Sequence, residues 1–218
     1  MAYILNGSLI TEEEIILPIQ RNGSFWYGDG FFEAMKFVKG KILFSELHWE
    51  RIVNSCSILK MKNPFNSFDV FNDTVFQLAK DVGNPVQRIK LTLWRNTFLG
   101  YKPESHQVEY LITTAELIDS VYILNTNGLR LCIYTDHLKS ISKLGNIKST
   151  SSQLFVMANL YSQSLGLDDS ILLNTRKNIV ETTHCNICIV TDDTIYTPPL
   201  NEGCLDGIMR RVLLQICN

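Results

Sequence analysis

Alternating apolar and polar positions in the first half of the chain predict strands joined as hairpins. Residues 3–5 and 8–10 flank Asn6-Gly7, a dipeptide typical of a two-residue hairpin turn. Residues 31–44 contain the apolar-rich stretches FFEAMKFV and KILF, separated by Lys39-Gly40, which predicts a second hairpin. The same alternation predicts two further strands, over residues 86–94 and 108–114.

Apolar residues at helical spacing predict two helices between these hairpins and the later strands. The first covers about residues 46–61, and His48, Arg51 and Ser55 recur at helical spacing on a stripe apart from its apolar one. The second covers about residues 66–80. The predicted order along the chain, with strands followed by two helices and then by further strands, is typical of an α+β domain. We place this domain at residues 1–118.

The second half, residues 119–218, is predicted to be a separate domain of short strands with two helices, as in a small barrel or bent sheet. One helix should run over about residues 151–165, with Gly166 as its C-cap, and another should begin near Asp206. The predicted strands cover residues 129–134, 170–174, 179–181, 186–190 and 194–196. The whole chain is therefore expected to be a two-domain α+β protein.

Composition narrows the functional class. The chain has 45% apolar and 19% charged residues and a formal net charge of −2, without a basic block, so nucleic acid is not an expected partner. The N-terminus lacks the pattern of a secretion signal, and no apolar run is long enough to span a bilayer. Six scattered cysteines in a chain of this size suggest reduced thiols, and thus a cytoplasmic protein without membrane partners.

Lys148 is the first candidate for chemistry. It stands alone just ahead of a Ser/Thr cluster that is typical of a helix N-terminus. A cation at a helix start opposes the helix dipole, so the charged form of this lysine should be disfavoured. A lysine that loses its proton readily is a nucleophilic amine.

Two arginines have both a functional and a structural interpretation. Arg51 could form a surface ion pair with Glu50 or Glu46, or it could clamp an anion, for which its forked guanidinium is well suited. Arg95 follows an alternating strand and could bind a substrate carboxylate, although arginines at strand ends mostly face solvent.

Three features of the second half remain as candidates. Glu181 at a strand end could be a solvated carboxylate, or it could hold a proton on a cofactor nitrogen. Gly207 at a helix start could bind phosphate through backbone N–H groups, or Asp206 could simply cap that helix. Residues 184–188 contain a Cys-x-x-Cys, but no second Cys/His pair follows at zinc-finger spacing, so no metal site is predicted.

Four stretches together resemble the class IV aminotransferase family of pyridoxal-phosphate enzymes, which have fold type IV. They are YGDGFFEAMKFVKGKILFSELHWERI, GNIKSTS, IVETTHCNICIVTDDTIYTPPL and GCLDGIMRR, and their order and spacing run almost end to end. The resemblance implies an N-terminal α+β sandwich, a barrel-like C-terminal cofactor domain, pyridoxal 5'-phosphate as cofactor and a homodimer. Because the sequence stops at Asn218, where members of the family usually continue, the C-terminal domain is expected to be incomplete.

The same resemblance assigns roles to individual residues. Lys148 would be the Schiff-base lysine and Glu181 the carboxylate that faces the pyridine nitrogen. Arg51 would hold the phosphate, together with the backbone of Ile208 and Met209. A protonated ring nitrogen allows the ring to accept electrons from a carbanion, and a displaced lysine is then a base beside the Cα proton.

Three features favour the aminodeoxychorismate lyase branch of the family. Met209 stands where many aminotransferases have threonine, Arg95 precedes Gly100-Tyr101, and Phe32 stands where several aminotransferases have a tyrosine near the substrate. The expected reaction converts 4-amino-4-deoxychorismate to 4-aminobenzoate and pyruvate, a step in folate synthesis, with Arg95 and Phe32 binding the amino-acid-like substrate. Two alternatives stay open: an aminotransferase for branched-chain or D-amino acids, and a non-catalytic truncated relative.

Overall fold

The computed structural model describes residues 2–11, 13, 19–97 and 100–217, and the chain forms two compact units. The first unit comprises Met1–Ile123 together with Ser149–Ser151, and the second comprises Leu124–Lys148 and Ser152–Asn218. The observed boundary therefore falls after Ile123, whereas the sequence placed it after residue 118. Within the described residues, no helix has the length and apolar character required to cross a membrane.

The first unit is built on a six-stranded antiparallel sheet with the order β2-β1-β6-β5-β3-β4. Its strands are β1 Ala2–Leu5, β2 Ser8–Thr11, β3 Gly30–Val38, β4 Lys41–Ile42, β5 Val86–Arg95 and β6 Val108–Glu116. Strand β1 pairs with β6, so the N-terminus joins the sheet beside the last strand of the unit. Each predicted strand of the first half is present.

Both predicted hairpins are confirmed. Leu5 pairs with Ser8 across Asn6 and Gly7, whose φ angles of 50° and 91° are both positive, as a two-residue turn of this kind requires. Val38 pairs with Lys41 across a loop of the same length, Lys39-Gly40. Asn and Gly tolerate positive φ better than other residues, which is why the first turn could be located from sequence.

Among the described residues of this unit, the α-helices are α1 Gly23–Tyr27, α2 Ser45–Leu59 and α3 Phe68–Val82. Helices α2 and α3 match the two predicted helices to within two residues at each end. Helix α3 begins after Ser67, whose side chain accepts a hydrogen bond from the N–H of Val70 at 3.2 Å. The single-turn helix α1 was not predicted, because its five residues are too few to show a periodic pattern.

Helices α2 and α3 pack against the sheet, and their contacts form the core of the first unit. On β3, Phe31, Glu33, Met35 and Phe37 are all buried, and the residues between them are half-buried. This is the period of two that a strand with one covered face requires. Glu33 therefore occupies a core position among apolar neighbours, and it needs polar partners there.

The second unit is assembled from short strands and two helices, as predicted. Its strands are β7 Leu131–Lys139, β8 Asp169–Asn174, β9 Ile179–Thr182, β10 Ile189–Thr191 and β11 Thr194–Tyr196, and its helices are α4 Gln153–Ser164 and α5 Ile208–Ile216. Strand β8 is parallel to β7 and antiparallel to β9, while β10 and β11 form a separate hairpin. A small core is formed by Tyr134, Ala158, Leu172, Val180 and Cys204.

Candidate active site

Lys148 is partly buried and follows a 3-10 turn at Lys143–Asn146. Helix α4 begins only at Gln153, so Lys148 lies outside the first helical turn. The helix dipole therefore acts on Lys148 more weakly than expected, because its effect falls off within one turn.

The charge of Lys148 is nevertheless felt at the turn that follows β9. Partial desolvation of the exposed Cys185 thiol and the charge of Asp169 raise its pKa, and the positive charge of Lys148 acts in the opposite direction. The backbone of this turn is closed by a hydrogen bond from the N–H of Thr182 to the carbonyl of Cys185, at 2.8 Å. Lys148 therefore lies near the segment that directly continues from Glu181.

Glu181, on β9, is only 3% exposed, so its interpretation as a solvated edge carboxylate is wrong. Its Oε1 atom forms an ion pair with the Nζ of Lys139. Its Oε2 atom accepts a hydrogen bond from the backbone N–H of Leu205, at 2.9 Å. A carboxylate has about four acceptor sites, so these two contacts leave capacity for a further donor.

Lys139 is a buried cation of this site, and no motif in its sequence neighbourhood predicts that role. Its Nζ also donates to the backbone carbonyl of Gly145 at 2.9 Å and lies 5.3 Å from the centre of the Phe155 ring. Gly145 belongs to the 3-10 turn that leads into Lys148. Lys139 thus contacts both the strand that carries Glu181 and the segment that carries Lys148.

The start of α5 is a candidate anion-binding turn. Its N-cap is Gly207, and the N–H groups of Ile208 and Met209 belong to the first turn, where N–H groups lack partners inside the helix. The predicted capping of this helix by Asp206 is wrong, because the N-cap is Gly207. The Asp206 carboxylate accepts a hydrogen bond from the Nε of Arg211, at 2.9 Å. The turn follows directly from Leu205, whose N–H is bound by Glu181.

Gly207 is required at this turn by its neighbour Asn186. A Cβ atom at position 207 would overlap the Oδ1 of Asn186. Asn186 cannot easily rotate away, because its Nδ2 donates to the carbonyl of Leu205 at 2.8 Å. The backbone at the helix start and the loop after β9 are therefore in direct contact.

We expect Gly207→Ala to lower the free energy of unfolding by about 1–3 kcal/mol, the usual cost of overpacking. The measurement is urea denaturation of the wild-type protein and of the variant. In the double variant Gly207→Ala/Asn186→Ala the space is restored, so alanine at 207 should cost much less than in the presence of Asn186. If Gly207→Ala lowered the free energy of unfolding equally with and without the Asn186 side chain, the predicted overlap between a Cβ at position 207 and Asn186 would be wrong.

In the first unit, Arg51 is buried, with 4% of its surface exposed, so a surface ion pair with Glu46 or Glu50 is excluded. Its Nε and Nη2 atoms donate to the two carboxylate oxygens of Glu33, at 2.7 and 2.6 Å. His48 Nδ1 lies 2.6 Å from Glu33 Oε2. Burial acts to raise the pKa of Glu33, but the Arg51 charge and the hydrogen bonds from His48 and Arg51 outweigh it, so the pKa lies below its ordinary value.

Arg95 is also buried and is engaged by protein acceptors. Its Nε donates to Asp29 Oδ2 at 2.7 Å, and its Nη2 and Nη1 donate to the carbonyls of Leu59 and Lys60, at 2.6 and 3.2 Å. It therefore ties the end of α2 to β5 and to the loop before β3. Its binding of a substrate carboxylate stays a prediction, and the solvent-facing alternative is wrong because its exposed fraction is 5%.

Phe32 lies on the face of β3 opposite Glu33, where it is half-buried. The Nζ of Lys90 lies 5.1 Å from the centre of its ring. The role of Phe32 in substrate binding stays a prediction. Cys185 and Cys188 are exposed free thiols, and the described part of the chain contains no group of three His, Cys, Asp or Glu residues suited to a metal ion.

Residues 30–218 match the profile of the family described as amino-transferase class IV. The chain belongs to this family. Its fold is shared by the branched-chain aminotransferase of the thermophilic archaeon Thermoproteus uzoniensis, whose structure was solved with norvaline. The two superimpose with a TM-score of 0.86 and 23% identity, covering 99% of this chain and 74% of the other. The predicted α+β fold of type IV is confirmed.

Relatives in this family carry different activities. The chain is 25% identical to the aminodeoxychorismate lyase of Vibrio harveyi, over 88% of this chain and 70% of the relative. It is 24% identical to the D-alanine aminotransferase of Staphylococcus haemolyticus, over 97% of this chain and 74% of the relative. Similar identity to a lyase and to an aminotransferase leaves the reaction to be argued from the residues.

Proposed function

We propose that the protein is a pyridoxal-phosphate enzyme and that residues of the second unit bind both ends of the cofactor. The observation that carries this proposal is the contact between Glu181 and Leu205, which joins a buried carboxylate to the residue two positions before the N-cap of α5. Pyridoxal phosphate has a basic ring nitrogen at one end and a phosphate at the other. A carboxylate and a helix N-terminus, linked by a short stretch of backbone, are the partners that these two ends need.

The residues present fit this cofactor. Glu181 has acceptor capacity left for a protonated ring nitrogen, and the N–H groups of Ile208 and Met209 belong to the first turn of α5, where an anion can bind. Lys148, near the turn that follows Glu181, is the amine to which the cofactor attaches. Arg51 as a phosphate ligand is part of the proposal, with Glu33 fixing the plane of its guanidinium group.

Each of these residues has a defined task in the reaction. Bound pyridoxal phosphate supplies an electron sink for the carbanion formed at the substrate Cα. Glu181 keeps a proton on the ring nitrogen, and that proton makes the sink effective. With the cofactor bound, Lys148 would act as the general base at the substrate Cα and would return a proton to the product. The first turn of α5 would hold the phosphate and so limit movement of the cofactor relative to Lys148.

We propose that the substrate is 4-amino-4-deoxychorismate and that the products are 4-aminobenzoate and pyruvate. Support comes from Met209 at the phosphate turn, from the Arg95 segment, and from the similarity to the lyase of Vibrio harveyi. An aminotransferase for branched-chain or D-amino acids is the second candidate, which the similarity to the D-alanine enzyme favours.

The two candidates differ in their products, so one pair of assays separates them. We expect purified protein with added pyridoxal phosphate to absorb visible light and to release 4-aminobenzoate, detected by its fluorescence, from 4-amino-4-deoxychorismate. Amino transfer from D-alanine or leucine to 2-oxoglutarate, without any 4-aminobenzoate, would refute the lyase and support the aminotransferase. A protein that stays colourless with the cofactor would instead support a non-catalytic relative.

A further inference from the structure

Lys139 is buried because strand β7 contains an irregularity. Regular alternation from the buried Tyr134 would turn Asp136 and Leu138 inward and leave position 139 facing outward. The register of β7 against β8 instead shifts between Tyr134 and Lys139, and Lys139 is only 6% exposed. Such bulges re-aim side chains and are frequent beside active sites.

The buried ammonium group of Lys139 has partners on two different segments. Glu181 on β9 is its ion-pair partner, and the Gly145 carbonyl accepts from it at 2.9 Å. Gly145 is itself closely packed, since a Cβ there would lie 2.7 Å from the carbonyl oxygen of Gly203. The segment that precedes Lys148 therefore has little room to move while Lys139 holds it.

We propose that Lys139 is a positioning residue that fixes Glu181 and the segment leading to Lys148 in one arrangement. This inference rests on the proposed cofactor function. With the ammonium in place, the orientation of the Glu181 carboxylate is set by Lys139 on one oxygen and by Leu205 on the other. The carboxylate at one end of the cofactor and the segment that leads to the attachment lysine are then held by a common side chain.

The test compares Lys139→Met with Lys143→Met. Methionine is close to lysine in length and carries no charge, and Lys143 is exposed in the same 3-10 turn, which makes it a matched control. Lys139→Met should bind pyridoxal phosphate about 10- to 100-fold more weakly, as expected for a lost hydrogen bond to a charged group. The pH midpoint of its visible band should move by about one unit, which corresponds to a tenfold change in an equilibrium. Lys143→Met should match the wild-type protein in both properties.

A second readout does not need the cofactor. In the cofactor-free protein, hydrogen exchange of the amides at positions 143–148 should be about tenfold faster in Lys139→Met, because the anchor of Gly145 is lost. Wild-type protein that binds no pyridoxal phosphate would refute the proposed function, while the exchange result would still decide the role of Lys139. Exchange and cofactor binding equal to those of Lys143→Met would overturn the inference.

Removal of one partner from a buried ion pair can prevent folding, so a further variant is needed. Lys139→Met/Glu181→Gln removes both charges and should fold. It should still exchange faster than the wild-type protein at positions 143–148, because the contact with Gly145 is absent. Wild-type exchange rates in this double variant would contradict the role of Lys139.

Discussion

Lys148→Ala should eliminate both the activity and the visible absorbance that remains with the protein after unbound pyridoxal phosphate has been removed. The substitution removes the amine that attaches the cofactor and that later serves as the base at Cα. General-base catalysis alone contributes about 10²–10⁴-fold, so we expect the turnover number to fall at least ~10³-fold. Spectra and initial rates, recorded for the wild-type protein and the variant at the same cofactor concentration, provide the measurement.

Lys143→Ala is the control for this experiment, since Lys143 is an exposed lysine of the same segment. It should keep the visible band and the wild-type rate. If Lys148→Ala retained the band and lost less than about tenfold in rate, another group would be the base, and the assignment of Lys148 would be wrong.

Glu33→Gln should lower the free energy of unfolding by about 3–5 kcal/mol, which is the usual cost of breaking a buried ion pair by removing one partner. Glu33 is fully buried, and both of its oxygens accept from the Arg51 guanidinium. A neutral amide cannot balance that charge, and its NH₂ group would face another donor. Chemical denaturation at pH 7 measures the loss, and Glu104→Gln, at an exposed position, should change little.

The effect of Glu33→Gln should depend on pH. The pKa of Glu33 in the folded protein lies below its ordinary value of 4.5. A carboxylate of this kind contributes its full stability above the ordinary value and loses that contribution as the pH falls through the folded value. The difference between wild-type protein and Glu33→Gln should therefore be constant near neutrality and shrink below pH 4.5. A difference that stays constant under acid conditions would refute the ionised state of Glu33.

Local signals along the chain were sufficient for most of the secondary structure. The Asn6-Gly7 turn, the apolar stripes of α2 and α3, and the alternation of β5 each depend on residues close in sequence. The prediction for Lys148 likewise depends on residues close in sequence, the GNIKSTS stretch, and it stays a prediction. His48, Arg51 and Ser55 were recognised as a separate stripe of α2, and all three are buried.

The contacts that the candidate site residues make with one another could not be predicted from local sequence. Glu33 and Arg51 lie on different elements, so their pairing depends on how α2 crosses the sheet. Lys139 is turned inward by an irregularity in β7, and a regular strand pattern would have left it outside. The strand expected over residues 186–190 instead covers Ile189–Thr191. It begins later than expected because the Asn186 side chain binds the backbone before α5. Each of these outcomes is decided by tertiary contacts rather than by local propensity.

The first unit contains two segments that are separate in sequence, and this has a consequence for synthesis of the protein. Ser149–Ser151 belong to that unit, where the Thr150 N–H donates to the Gly30 carbonyl at 3.0 Å. On the ribosome these residues emerge only after Leu124–Lys148, which belong to the other unit. Domains are commonly completed in order from the N-terminus during translation. Here the first unit cannot be finished until Leu124–Lys148 of the second have left the exit tunnel, so synthesis of the second unit begins before the first is complete.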